Sequence, residues 1–160
     1  MRYKSTGGNK CNMREDFLLN MRILPEHRVN RFEDNCIRAD YIFDYMAERV
    51  FDNPRLLDLL SIKIKKWLAI EKSEFTYALA GYISYLKEDF AQAEGFFIKA
   101  LNFEPENIDT WLDLAFSLYH QNNRKIRLAL KILFNFDTCA KSFRNKKITL
   151  GALEKTMDKL

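Results

Sequence analysis

The sequence predicts an all-α fold: stacked antiparallel helical hairpins with a flanking helix at each end. Three observations lead there. Turn-forming residues are scarce, with 5 Gly and 3 Pro in 160 residues, whereas an all-β sandwich needs a turn signal roughly every 8–12 residues. Apolar residues recur at three- and four-residue spacing, which places them on one face of a helix. An aromatic residue followed four positions later by a small one returns after a fixed interval of 34 residues, and such a period marks repeated supersecondary units.

The elements follow in chain order. Residues 1–12 are rich in Gly, Asn and Lys and read as a mobile terminus. From Met13 to Leu24, Phe17, Leu18, Met21 and Leu24 fall on one stripe, stopped by Pro25. Asn53-Pro54 is a helix start, with Asn as the cap and Pro at the first helical position, where its missing N–H is not needed. Leu56, Leu57, Leu60, Ile64, Trp67 and Leu68 form the face of that helix. Ser73 caps the next, which carries Tyr77, Leu79, Tyr82, Tyr85 and Leu86. Asp89 restarts the chain, and Gln92 is placed to complete a reciprocal capping box. That helix holds Ala93, Phe97, Ala100 and Leu101 and ends before Pro105. Asn107 opens another, with Trp111, Leu114, Ala115 and Leu118. After the polar break Gln121-Asn122-Asn123, a further helix presents Ile126, Leu128, Ala129, Leu133 and Phe136. Thr149 then caps a short C-terminal helix, with Ile148 stapling onto Leu153. Its polar Lys155, Asp158 and Lys159 suit a terminal cap on a stacked array. The connections are short, so neighbouring helices must pack antiparallel.

The repeat is visible in three windows. They read Phe43–Met46–Ala47–Val50, Tyr77–Ala80–Gly81–Ser84 and Trp111–Leu114–Ala115–Leu118. The small residue lets the next helix approach, and the aromatic fills the space beside it. The best unit, about 74–107, has Gly81, the turn Glu88-Asp89-Phe90, then Ala93, Phe97, Ala100 and Pro105. In this the chain resembles the tetratricopeptide repeat family, whose second helix and exit show the same residue types at the same spacing. It departs from the family in having Tyr77 for the first Trp, Ala80 for Leu and Ser84 for Tyr. A variant unit follows from Ile108, with Ala115 in place of Gly and two residues inserted near Asn122. A degenerate unit precedes from about Asp40, with Leu59 where a small residue is expected. The domain reading is therefore an N-terminal extension over 1–37, the repeat domain over 38–147 and a capping helix over 148–160.

Composition narrows the chemistry. Apolar residues make up 48% and charged residues 30%, which is ordinary for a folded globular chain. Cys11, Cys36 and Cys139 are widely spaced, and His27 and His120 stand apart. Neither a disulfide framework nor a metal site is expected, and reduced thiols point to the cytoplasm. No apolar run follows the N-terminus and none approaches the ~18 residues of a membrane span, so neither signal peptide nor membrane partner is expected. No phosphate loop, Ser/His/Asp order or His/carboxylate cluster appears. The reading is a non-enzymatic protein with no cofactor and no small-molecule substrate. His120 reads as a partner for a helix C-terminus. Cys139, despite Lys141 nearby, reads as a packed thiol.

A stacked hairpin array curves, and its first helices line the concave face. The resemblance implies that this face grips an extended peptide or a helix of a protein partner. The residues projected onto it are Tyr41, Asp44 and Glu48, then Phe75, Ala78, Tyr82 and Tyr85, then Asp109, Leu112, Phe116 and Tyr119. Tyr41, Phe75, Tyr82, Tyr85, Phe116 and Tyr119 are the candidate partner-binding residues, an aromatic surface with acid at one end. Some family members grip a chaperone's C-terminal carboxylate through Lys, Arg and Asn there, and this chain has none of these. An adaptor or scaffold is the leading expectation. A chaperone for a specific client is an alternative, since the small three-repeat chaperones of type III secretion are similar in length and architecture. Charge supplies a third reading. Residues 121–147 hold eight Lys or Arg and one acid, Asp137, a net +7, whereas 38–120 hold nine basic and fourteen acidic residues, a net −5. Arg124, Lys125, Arg127 and Lys131 would form a patch for an acidic partner or nucleic acid. Nucleic acid is not expected, because no interleaved aromatics or groove-reading motif accompany the charge. Association between copies of the chain remains open.

Overall fold

The computed structural model describes residues 54–160, and every described element is an α-helix. Expectations at Met13–Leu24, Tyr41, the Phe43–Val50 window and the Asn53 cap lie outside the described residues. The first described helix, α1 (Pro54–Ile70), begins at the predicted proline and buries Leu57, Leu60, Ile64 and Trp67. The Trp67 indole N–H is directed at the carboxylate of Glu71, one turn on, at 3.1 Å. This helix belongs to one unit, Met1–Glu71, and Lys72–Leu160 forms a second.

The second unit contains α2 (Glu74–Leu86), α3 (Phe90–Leu101), α4 (Ile108–Tyr119), α5 (Asn123–Phe143) and α6 (Leu150–Met157). Each begins at a side-chain cap: Ser73, Asp89, Asn107 and Thr149 are the predicted residues, and Asn122 lies within the polar break that precedes its helix. These oxygens accept from backbone N–H groups that the first helical turn leaves without partners. One expected detail changes. The Asp89 carboxylate accepts from the Gln92 N–H, but Gln92 does not bond back. The Asp89 N–H already donates to the Ser84 carbonyl at 2.9 Å, and the Gln92 side chain accepts instead from the Ser84 hydroxyl at 3.0 Å. The α2–α3 turn also places Glu88 at φ 60°, the only non-glycine residue with positive φ among those described.

Consecutive helices run antiparallel. The late part of α2 meets the early part of α3 at Ser84–Gln92, and the early part of α2 meets the end of α3 at Tyr77–Phe103. Between these points Gly81 lies under the ring of Phe97, and a Cβ there would fall 2.7 Å from the ring edge. The glycine and the aromatic thus permit one close approach. Trp111 is fully buried in α4, and its indole N–H is satisfied by the Pro105 carbonyl at 2.8 Å. The core around it joins Phe97, Leu101, Leu114, Ala115, Leu118, Leu128 and Ile132 to residues of the last two helices.

α5 continues past Phe136, the last apolar residue the sequence assigns to this helix. It runs 21 residues and is interrupted at Asn135, whose φ/ψ of −138°/27° is not helical. The Asn135 side-chain amide donates to the Lys131 carbonyl at 2.9 Å, a local bond that competes with the helical ladder. Before the break the buried stripe is Leu128, Ala129 and Ile132; after it, Cys139 and Phe143. Helix α6 covers that second half with Leu153 and Met157, while Lys155, Asp158 and Lys159 face solvent, as expected of a cap. Asn102 fixes the lead-in to α6. Its side chain donates to the Ile148 carbonyl at 2.9 Å and accepts from the Ile148 N–H at 2.8 Å.

Candidate functional site

The helices α2 and α4 both pack on α3, and both run antiparallel to it, so they lie side by side in the same direction. Bonds at either end fix their register. At the N-terminal end the Glu74 carboxylate accepts from Asn107 Nδ2 at 2.9 Å and from Thr110 Oγ1 at 3.0 Å. At the C-terminal end the Tyr85 hydroxyl and His120 Nε2 are 3.1 Å apart. These pairs are separated by 33, 36 and 35 residues, so the 34-residue period in the sequence is the lateral offset of the two helices.

The predicted partner-binding residues divide on this surface. On α4, Phe116 and Tyr119 are 47% and 48% exposed, among the largest apolar exposures in the unit. On α2, Phe75, Tyr82 and Tyr85 are half-buried, and Tyr82 and Tyr85 pack against the core. Ala78, projected onto the same face, is buried. Tyr41 lies outside the described residues.

Of two further features of the surface, the first was not foreseen and the second was foreseen only in part. One is an aromatic cluster around His120, which caps the C-terminus of α4. Its ring stacks on Phe90 at 4.7 Å and meets Tyr85 and Tyr119 edge-on, each at 5.7 Å. The period offered the signal for it, since Tyr85 and His120 are one repeat apart. The other is electrostatic. Glu74, Asp109 and Asp113 are the three charged side chains of α2 and α4, all acidic. Burial, followed by repulsion from Asp109 and Glu74, pushes the Asp113 carboxyl up to about 7. Burial also raises Glu74, against the opposing hydrogen bond from Thr110, and raises the Tyr85 phenol with help from Asp113. Among the described residues no cation lies within salt-bridge reach of Asp109 or Asp113.

Half of the eight basic residues in the 121–147 stretch are paired from within: Arg124, Lys125, Lys131 and Arg144. Lys125 pairs with Glu94 at 2.6 Å, and Gln121 donates to the same carboxylate at 2.8 Å, which joins the starts of α3 and α5 to the end of α4. Arg124 pairs with Glu154 at 2.8 Å, and Lys131 donates to the Met157 carbonyl at 2.9 Å beside Asp158. Arg124, Arg127, Lys131, Glu154 and Asp158 line a cleft of about 590 Å³ between α5 and α6. Of the four predicted patch residues, Arg127 alone is exposed and without such a contact.

No protein-family model, curated protein or solved structure matches this chain. Among the described residues no group of three His, Cys, Asp or Glu side chains is placed to hold a metal ion. None of the described helices is long and apolar enough to cross a membrane. Cys139 is fully buried against Met157, and burial pushes its thiol up to about 11, which disfavours the reactive thiolate at neutral pH.

Proposed function

We propose that this protein is an interaction module whose α2–α4 face holds a peptide or helical segment of a protein partner. The observation that carries the reading is the exposed pair Phe116 and Tyr119, one helical turn apart and continuous with the half-buried Tyr82 and Tyr85 on the neighbouring helix. Aromatic side chains of this kind give large contact area with little rotamer entropy to lose. The 34-residue offset between parallel helices, with a glycine under an aromatic inside the hairpin, supports a tetratricopeptide-like arrangement as the scaffold. An adaptor role suits that scaffold, the widely spaced cysteines suit the cytoplasm, and a chaperone for one client would use the same face.

The face and the core make different demands, and this separates them experimentally. Phe116→Ala and Tyr119→Ala should remove most partner capture in a pull-down and leave the melting temperature within a few degrees of wild type. Tyr82→Ala should lower the melting temperature, because that ring also packs on the core. Retained capture in a Phe116→Ala/Tyr119→Ala double variant would rule the face out. The reading of residues 121–147 as a nucleic-acid surface is less favoured, since Arg124, Lys125 and Lys131 already meet internal acceptors.

A further inference from the structure

The charge on this unit is segregated between helices. Helices α2 and α4 together carry three acids and no base. Helix α5 carries five basic residues and one acid. On α5 a second apolar surface is exposed, with Leu130 at 41% and Phe134 at 84%. A phenylalanine exposed to this degree packs on nothing among the described residues. Arg127 stands seven residues before Phe134, and Asp109 stands seven residues before Phe116. Seven residues are about two helical turns, so both pairs lie on one stripe of their helix at about 10 Å separation. Laid parallel, the stripe of α5 brings Arg127 against Asp109 and Asp113, and Phe134 against Phe116 and Tyr119. Each partner is exposed or half-buried, and neither Arg127 nor the two aspartates has an ion-pair partner among the described residues.

We propose that the occupant of the α2–α4 face includes a second copy of this chain, docked through the Arg127–Leu130–Phe134 stripe of α5. The inference rests on the reading of that face as a docking surface, and it adds a partner whose complementary surface is visible in the same molecule. The contact is steered by charge at one end and anchored by aromatic burial at the other. Its acidic half is provided by Asp109, with Asp113 beside it, and its basic half by Arg127. Self-association therefore weakens as salt screens the charged end.

Sedimentation equilibrium of the full chain tests this, over about 1 µM to 1 mM. Wild type should self-associate, with the apparent mass rising with concentration and falling as salt rises. R127E, D109K and F134A should each weaken association about tenfold, the scale of a lost anchor or a repelling charge pair. The double variant D109K/R127E should recover most of the wild-type association, because the swapped charges again attract. A wild type that stays monomeric throughout overturns the proposal. So does a double variant no better than either single one, or an F134A loss not accompanied by a D109K loss, which would indicate a contact of α5 with itself. Circular dichroism of each variant checks that the fold is intact. A monomeric protein that still captures a partner through Phe116 would remove the second copy and leave the docking face standing.

Discussion

Asp113 shows how a single side chain records the character of a surface. It is half-buried on α4, near Asp109 and Glu74 and without a compensating cation among the described residues. Its carboxyl is raised from an ordinary value of 3.8 to about 7 in the folded chain. The folded state therefore binds this proton more tightly than the unfolded state does. The stability it contributes is fully present below about pH 4 and is lost as pH rises through 7. Asp113→Asn should stabilise the protein at pH 8 by roughly 1–2 kcal/mol, a figure reduced for solvent screening at a half-buried site. At pH 4 the variant and wild type should have nearly equal stability. Thermal melts at the two pH values check the sign, and an equal or opposite effect at pH 8 would show that the carboxylate is already compensated. Sequence reasoning placed acid at one end of the face but did not single out Asp113. Its isolation depends on the lateral neighbour Glu74, 39 positions away and on a different helix.

At the scale of the elements, legibility follows the range of the interaction. Four of the five caps were readable because each is a bond over three residues, and the side chains that make it are few. The α2–α3 approach was readable too, because small-against-aromatic complementarity repeats. Gly81→Ala should cost about 1–3 kcal/mol, since the added methyl would fall within 2.9 Å of three atoms of a fully buried ring. Denaturant unfolding measures this, and Phe97→Leu in the same background should recover part of the loss by trimming the ring. Full wild-type stability in Gly81→Ala would mean that the helices separate without penalty. The extent of α5 was not readable in the same way. Leu128, Ile132, Cys139 and Phe143 keep same-face spacing across the break at Asn135, but the polar residues Asp137, Thr138 and Lys141 interrupt the apolar run, and the pattern read from the sequence stops at Phe136. The internal pairing of the basic residues was hidden for another reason. Lys125 and Glu94 are 31 positions apart and meet only because α3, α4 and α5 converge at one end.

At the largest scale described, the second unit depends on its last helix to close its core. An apolar face left at the end of a helical unit must be covered by something amphipathic. Helix α6 covers one here, and its Leu153 and Met157 complete a core containing Cys139, Phe143 and Ile148. The Asn102–Ile148 pair holds the lead-in to the cap against the end of α3. Removing residues 149–160 would expose Cys139 and Phe143 together, and the loss of several buried apolar side chains should destabilise the unit by several kcal/mol. Cys139 reports the event independently of any melting curve. In the intact protein it is fully buried against the Met157 sulfur, with its thiol raised to about 11, so it should react very slowly with an aromatic disulfide reagent at pH 8. In the truncated chain the same thiol loses its cover, and the burial that raised it, so its reaction should accelerate by at least about an order of magnitude. Cys11 and Cys36 are replaced by Ser in both forms so that one thiol is read. An unchanged rate would mean that α5 itself shields Cys139, and the capping role of α6 would then have to be abandoned.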